Sequence, residues 1–224
     1  MSAVARSSAA EPGVVTRPGR PRRYEEAEEL ELLLDAAFEV MRRAGYQQVT
    51  VNDILTEAGM STRSFYRHFA SKEDLLRGLF RREAEQFATA VERRVSVAHT
   101  PVDALATWID EILGFGLDRP RARRAAVLLA PDAMRSLDPA EVRRALELLI
   151  VPLRSVLATG AADGSFHGID PDGDAAQVSA LTWETASRLH DATSRSQRDG
   201  LRASLVSFVN RALGAGTVAN GISE

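Results

Sequence analysis

The chain has 224 residues, 45% hydrophobic and 26% charged, with a formal net charge of −3 and no cysteine. This composition suits a globular protein built from a small module and a larger one, and the missing cysteines exclude a disulfide scaffold, thiolate metal sites and a cysteine nucleophile. No run approaches the roughly 18 apolar residues that span a bilayer, and no apolar signal region opens the chain, so the reading is a cytoplasmic protein with no membrane partner.

Residues 1 to 24 carry five arginines against Glu11 alone, lack apolar periodicity and are rich in Ser, Ala, Pro and Gly, so a disordered basic arm is expected there. An acidic run, Glu25 to Glu31, follows. Basic residues outnumber acidic ones again over residues 40 to 82, whereas acidic ones prevail after residue 83. A polyanion should therefore meet the N-terminal third.

The first helix is predicted from about Tyr24 to Ala44. Leu33, Ala37, Val40, Met41 and Ala44 recur at helical spacing, and Gly45 ends the run. A short second helix begins at Thr50, with Asp53 closing a capping box, and stops at Gly59. Ser61 caps a third through Phe69, and Ser71 with Asp74 caps a fourth that passes Arg94.

Two short helices joined by a glycine-containing turn make a helix-turn-helix. Projection of the third helix at about 100° per residue sets Phe65 and Phe69 side by side. Thr62, Arg63, Tyr66 and Arg67 share a polar, basic face, flanked by Ser64 and His68. One aromatic edge to bury and one surface of arginine, hydroxyl and phenol are what a major-groove helix requires.

The stretch "AFEVMRRAGYQQVTVNDILTEAGMSTRSFYRHFASKEDLL", residues 37 to 76, resembles the N-terminal domain of the TetR family of bacterial transcriptional regulators. Gly45-Tyr46, Thr50-Val51, Ile54, Ala58-Gly59, Ser61, Phe65-Tyr66, His68-Phe69, Lys72 and Leu75 carry the likeness. It implies an all-α fold: a three-helix DNA-binding domain over residues 25–75 and a helical ligand-binding and dimerisation domain over residues 76–214, with a tail at 215–224. It also implies a ligand-responsive regulator, a repressor in the first instance, that binds a palindromic operator in double-stranded DNA as a homodimer. Under the same resemblance Thr50 meets a phosphate, Thr62, Arg63 and Ser64 face bases, and Tyr66, His68 and Lys72 grip phosphates. Lys72 is the chain's only lysine among 28 basic residues, and it stands in a helix's first turn, where an anion is already favoured. The chain departs from the family pattern at Arg63, where a small residue is usual, and at Leu55 and Met60, which replace a common Ala and Val.

Further on, Thr100 and Pro101 open a helix with Leu105, Trp108, Ile109, Ile112 and Phe115 as its stripe. More helices are predicted near 121 to 135, from Pro139 to Thr159 with a kink or break at Pro152, from Asp174 to about Ala192, and from about Gln197 to Leu213. Residues 159 to 174 read as a loop. By position in the family, the last two helices form the dimer interface, with Val178, Leu181, Leu205, Phe208 and Val209 as candidates. Trp108, Phe115, Met134 and Trp183 are candidates to line a pocket for an apolar effector.

The four histidines lack metal-ligand spacing, and no phosphate loop, nucleophile elbow or cofactor motif appears. No cofactor, metal or catalytic residue is assigned. A second function class, an enzyme or scaffold carrying a DNA-binding module, has no catalytic spacing in its favour.

Overall fold

The computed structural model describes residues 25–114, 119–191 and 194–215. The basic arm, Phe115 and all but the first residue of the tail lie outside the described residues.

Every regular element described is helical. Helix α1 spans Glu26–Ala44, with three acidic residues in its first turn and Arg42 and Arg43 in its last, each complementing the helix dipole. Gly45 ends it at φ 78°, where a side chain would be strained. Leu33, Ala37, Val40 and Met41 bury as their spacing predicts, while Ala44, at the end of the series, lies exposed. A 3-10 turn over Tyr46–Gln48 leads to α2, Val51–Ala58. Its capping box is complete: Thr50 Oγ1 accepts from the Asp53 amide at 3.2 Å, and Asp53 Oδ2 accepts from the Thr50 amide at 2.8 Å. The Thr50 hydroxyl, which donates to Asp53 Oδ2 at 2.7 Å, and then the Thr50 amide hold the Asp53 carboxyl below the ordinary aspartate range.

Helix α3 is Thr62–His68, and α4 runs without a break over Lys72–Val95. Two apolar cores divide along α4. Leu75, Leu76 and Leu79 join α1, α2 and α3 in the first core, which also takes in Leu128, Ala133 and Leu137. Val91 and Val95 join the later helices in the second. The expected boundary at residue 75 thus falls inside a helix that serves both cores.

Helix α5 is Pro101–Gly114, with Thr100 Oγ1 accepting from the Asp103 amide at 3.1 Å as its cap predicts. The single helix expected near 121–135 is two, α6 at Arg119–Leu128 and α7 at Pro131–Arg135. Pro131 supplies the break, because proline suits the first position of a helix and disfavours helical geometry in the residue before it. Helix α8 spans Pro139–Asp163 and continues through Pro152, so that residue does not interrupt it.

The expected loop is correspondingly shorter, since α8 runs on to Gly164 at φ 81°. Phe166 then folds back onto Gly160, where a Cβ would collide with the ring. By length and composition α8 is long and apolar enough to cross a membrane, contrary to the expectation that no segment is. In this structure it packs on α4, α5 and α9, with Leu153 and Leu157 fully buried. Helices α9, Pro171–Asp191, and α10, Arg195–Ala212, complete the second core.

Candidate DNA-binding surface and effector cavity

The helix-turn-helix is set by local chemistry. Gly59 closes α2 at φ 64°, and the amides of Gly59 and Met60 return to α2 carbonyls. Two residues later Ser61 Oγ accepts from the Ser64 amide at 3.2 Å and opens α3. Phe65 is fully buried and Phe69 nearly so, which fixes one edge of α3 against the core. Tyr66 packs its ring edge on Phe65, with centroids 5.3 Å apart, yet is 59% exposed. Thr62, Arg63, Tyr66 and Arg67 all face outward, with Ser64 half-buried beside them and Thr50 exposed at the start of α2.

Three basic side chains have partners within the protomer. Glu29 of α1, itself buried, accepts from Arg67 Nη1 at 3.0 Å and has His68 Nε2 at 3.3 Å from the same oxygen. His68 therefore faces α1, and Arg67 is shared between the carboxylate and the outer face. Lys72 turns back from the first turn of α4: its ammonium donates to the carbonyls of Tyr46 and Val49 and lies 4.5 Å from the centre of the Tyr46 ring. These bonds employ two of its three N–H groups in closing the connection before α2. Arg63 differs from all three: no carboxylate or carbonyl among the described residues holds its guanidinium, which is available on the exposed side of α3.

Residues 33–79 match the family of bacterial regulatory proteins named tetR. Those residues, the helix-turn-helix with the helices around it, form a TetR-family N-terminal domain. Among relatives, the chain is 34% identical over 79 residues to a fatty acid metabolism regulator protein of Bacillus subtilis, covering 35% of this chain and 41% of that one. It is 32% identical over 147 residues to the HTH-type transcriptional repressor KstR2 of Rhodococcus jostii, covering 60% of this chain and 66% of that one. Both matches therefore span less than two thirds of the relative. Among solved structures, the transcriptional regulator FadR from Bacillus subtilis in complex with stearoyl-CoA superposes with a TM-score of 0.63 at 22% identity, over 80% of this chain and 96% of that one. That likeness is one of fold, and it takes in helices beyond residue 79 as well.

Beyond the helix-turn-helix, α4, α6, α8 and Trp183 of α9 line a half-open cavity of about 350 Å³. Apart from Glu83, Gln86 and Arg124, every residue on its wall is apolar. Phe80, Ala84 and Phe87 of α4 face Leu128 of α6 and Leu149 of α8 across it. Of the four pocket residues expected from sequence, Trp183 lies on this wall. Trp108 does not: it is fully buried behind α8, where its indole N–H donates to the Leu149 carbonyl at 2.8 Å. Met134 packs on the first core instead, because α7 lies against the 3-10 turn that follows α1, and Phe115 lies outside the described residues.

Helix α4's share of the wall was visible as apolar residues at 80, 84 and 87, yet these read equally well as an ordinary core stripe. The interface candidates divide in two. Val178, Leu205 and Val209 are buried in the protomer's own second core, whereas Leu181 and Phe208 are 40% and 50% exposed on α9 and α10.

Proposed function

We propose that the chain is a transcriptional repressor that holds a palindromic DNA operator as a homodimer, with one α3 in the major groove of each half-site. An apolar small molecule entering the cavity releases it. The observation that carries this reading is that one helix serves both ends: α4 supplies Leu75 and Leu76 to the core beneath α3, then lines the cavity with Phe80, Ala84 and Phe87. A ligand that favours a different packing of α4 shifts the DNA-binding helices with it, by as much as its affinities for the two arrangements differ.

The TetR-family domain supports the DNA-binding half, and the curated relatives are regulators by name. The stearoyl-CoA held by the FadR relative supports a long hydrocarbon chain as the apolar part of the effector. Exposed Leu181 and Phe208, on the last two helices in the family's interface region, support the dimer. Selection of bound duplexes from a random library tests the reading. It predicts two inverted half-sites in successive major grooves, with release of the selected duplex by stearoyl-CoA or dodecanoate. Enrichment of a single half-site, or of nothing, counts against it.

A further inference from the structure

We propose that Arg124 anchors an anionic head group, so that the cavity takes an amphiphile ending in a carboxylate or phosphate. This rests on the effector reading above. Glu83 and Arg124 are the only charged side chains on a wall otherwise apolar but for Gln86, among the described residues. Arg124 Nη1 donates to Glu83 Oε1 at 2.6 Å, and the same oxygen lies 3.2 Å from Arg82 Nη2.

Arg82, buried on α4, is held by Glu31 and Asp35 of α1 at 2.9 Å each. Its burial opposes the charge, yet these carboxylates and Glu83 raise its pKa above the ordinary arginine value. Glu83 therefore keeps a cation when Arg124 leaves, so the exchange strands no buried charge. Arg124 itself is about half exposed, with a side-chain exposure of 47%, and already stands on the cavity wall, so an anionic head can meet the guanidinium there without burying it alone. Its planar fork matches the paired oxygens of a carboxylate or phosphate.

The same guanidinium lies 5.0 Å from the centre of the Phe38 ring on α1. Turning to a ligand removes it from both Glu83 and Phe38, which links occupancy of the cavity to the first helix of the DNA-binding domain.

The test compares dodecanoate, monododecyl phosphate and dodecan-1-ol, which share one chain and differ in the head, by quenching of tryptophan fluorescence in the full chain. Charged hydrogen bonds of this kind predict roughly ten- to hundredfold tighter binding of an anionic probe than of the alcohol. Whichever anion binds more tightly identifies the head. Arg124→Gln should bring the anions down to the alcohol's affinity, and Arg124→Lys should restore part of the difference. Glu83→Gln gives an independent check: with its competitor neutral, Arg124 should hold dodecanoate several-fold more tightly, and weaker binding would contradict the anchor role. A preference for anions that survives Arg124→Gln, or equal binding of all three probes by the unaltered chain, overturns the anchor alone. Binding of none of them overturns the effector reading together with it.

Discussion

The ammonium of Lys72 donates to the carbonyl oxygen of Val49 at 2.9 Å, joining the first turn of α4 to the residue before the α2 cap. Its second bond, to the Tyr46 carbonyl, ties the 3-10 turn into the same point. Hydrogen bonds to a charged donor contribute about 1.5 to 3 kcal/mol, and their removal takes the ammonium from the Val49 carbonyl while the Tyr46 carbonyl keeps the Val49 amide. Lys72→Met should therefore lower stability by about that amount and weaken binding to all duplexes alike, while leaving the slope of log affinity against log salt nearly unchanged. Chemical denaturation paired with binding titrations at several salt concentrations measures both. A slope reduced by about one unit with stability intact would return Lys72 to the phosphate-gripping role expected from sequence.

Arg63 and Arg67 lie on one face of α3 but differ in their partners, since only Arg67 is held by Glu29. Arg63→Ala should relax preference at one base position per half-site, at a cost of roughly 1 to 3 kcal/mol if it contacts guanine with both nitrogens. Arg67→Ala should act on all sequences alike. Titrations on the selected duplex and on point variants of it distinguish the two. Equal losses on every duplex for Arg63→Ala would remove its base-reading role.

The caps at Thr50, Ser61, Ser71 and Thr100 were legible because each is closed within a few residues of the chain. The stop at Gly59 was equally legible. What could not be read is what distant segments bring. The acceptors of Lys72 could not be read because they lie 23 and 26 residues earlier, in a turn that only folding sets beside it. Trp108 and Trp183 have similar apolar settings, and only the packing of α8 decides that one is sealed behind the wall and the other lines it. The break before α7 was signalled by Pro131, whereas the continuation of α8 past Pro152 depends on packing against α4, α5 and α9.

Replacing Leu181 and Phe208 together with Glu should yield folded monomers. Both are exposed on the protomer, so the charges cost little within one chain but are desolvated in an interface. Light scattering should report the mass of one chain, 24.4 kDa. A double variant that keeps the dimer would place the interface elsewhere. The buried Val178, Leu205 and Val209 are unsuitable for this test, because replacing them disrupts the protomer's own core.

The arm "RPGRPRR", residues 17 to 23, precedes α1 in sequence and carries four uncompensated positive charges. Arginine hooks of this kind enter narrow A·T-rich minor grooves or bind phosphates without sequence preference. Deleting residues 1 to 23 should leave folding and base preference intact, weaken DNA binding, and flatten the salt slope by close to one unit for each phosphate that the arm neutralises. Comparing A·T and G·C flanks reads out groove dependence, and unchanged affinity and slope on both would make the arm a bystander.

Filling the cavity in place of a ligand tests the central claim most directly. Ala84 and Ala145 face the cavity from α4 and α8, so Ala145→Trp should occupy much of the space that the hydrocarbon needs. The decisive measurement is fluorescence anisotropy of the selected labelled duplex, titrated with stearoyl-CoA or dodecanoate, for the unaltered chain and this variant. The account predicts release from the unaltered chain and loss of that response in Ala145→Trp, which either stays on DNA or fails to bind it at any ligand concentration. A variant that binds the duplex and releases it at the same ligand concentrations as the unaltered chain would contradict the account.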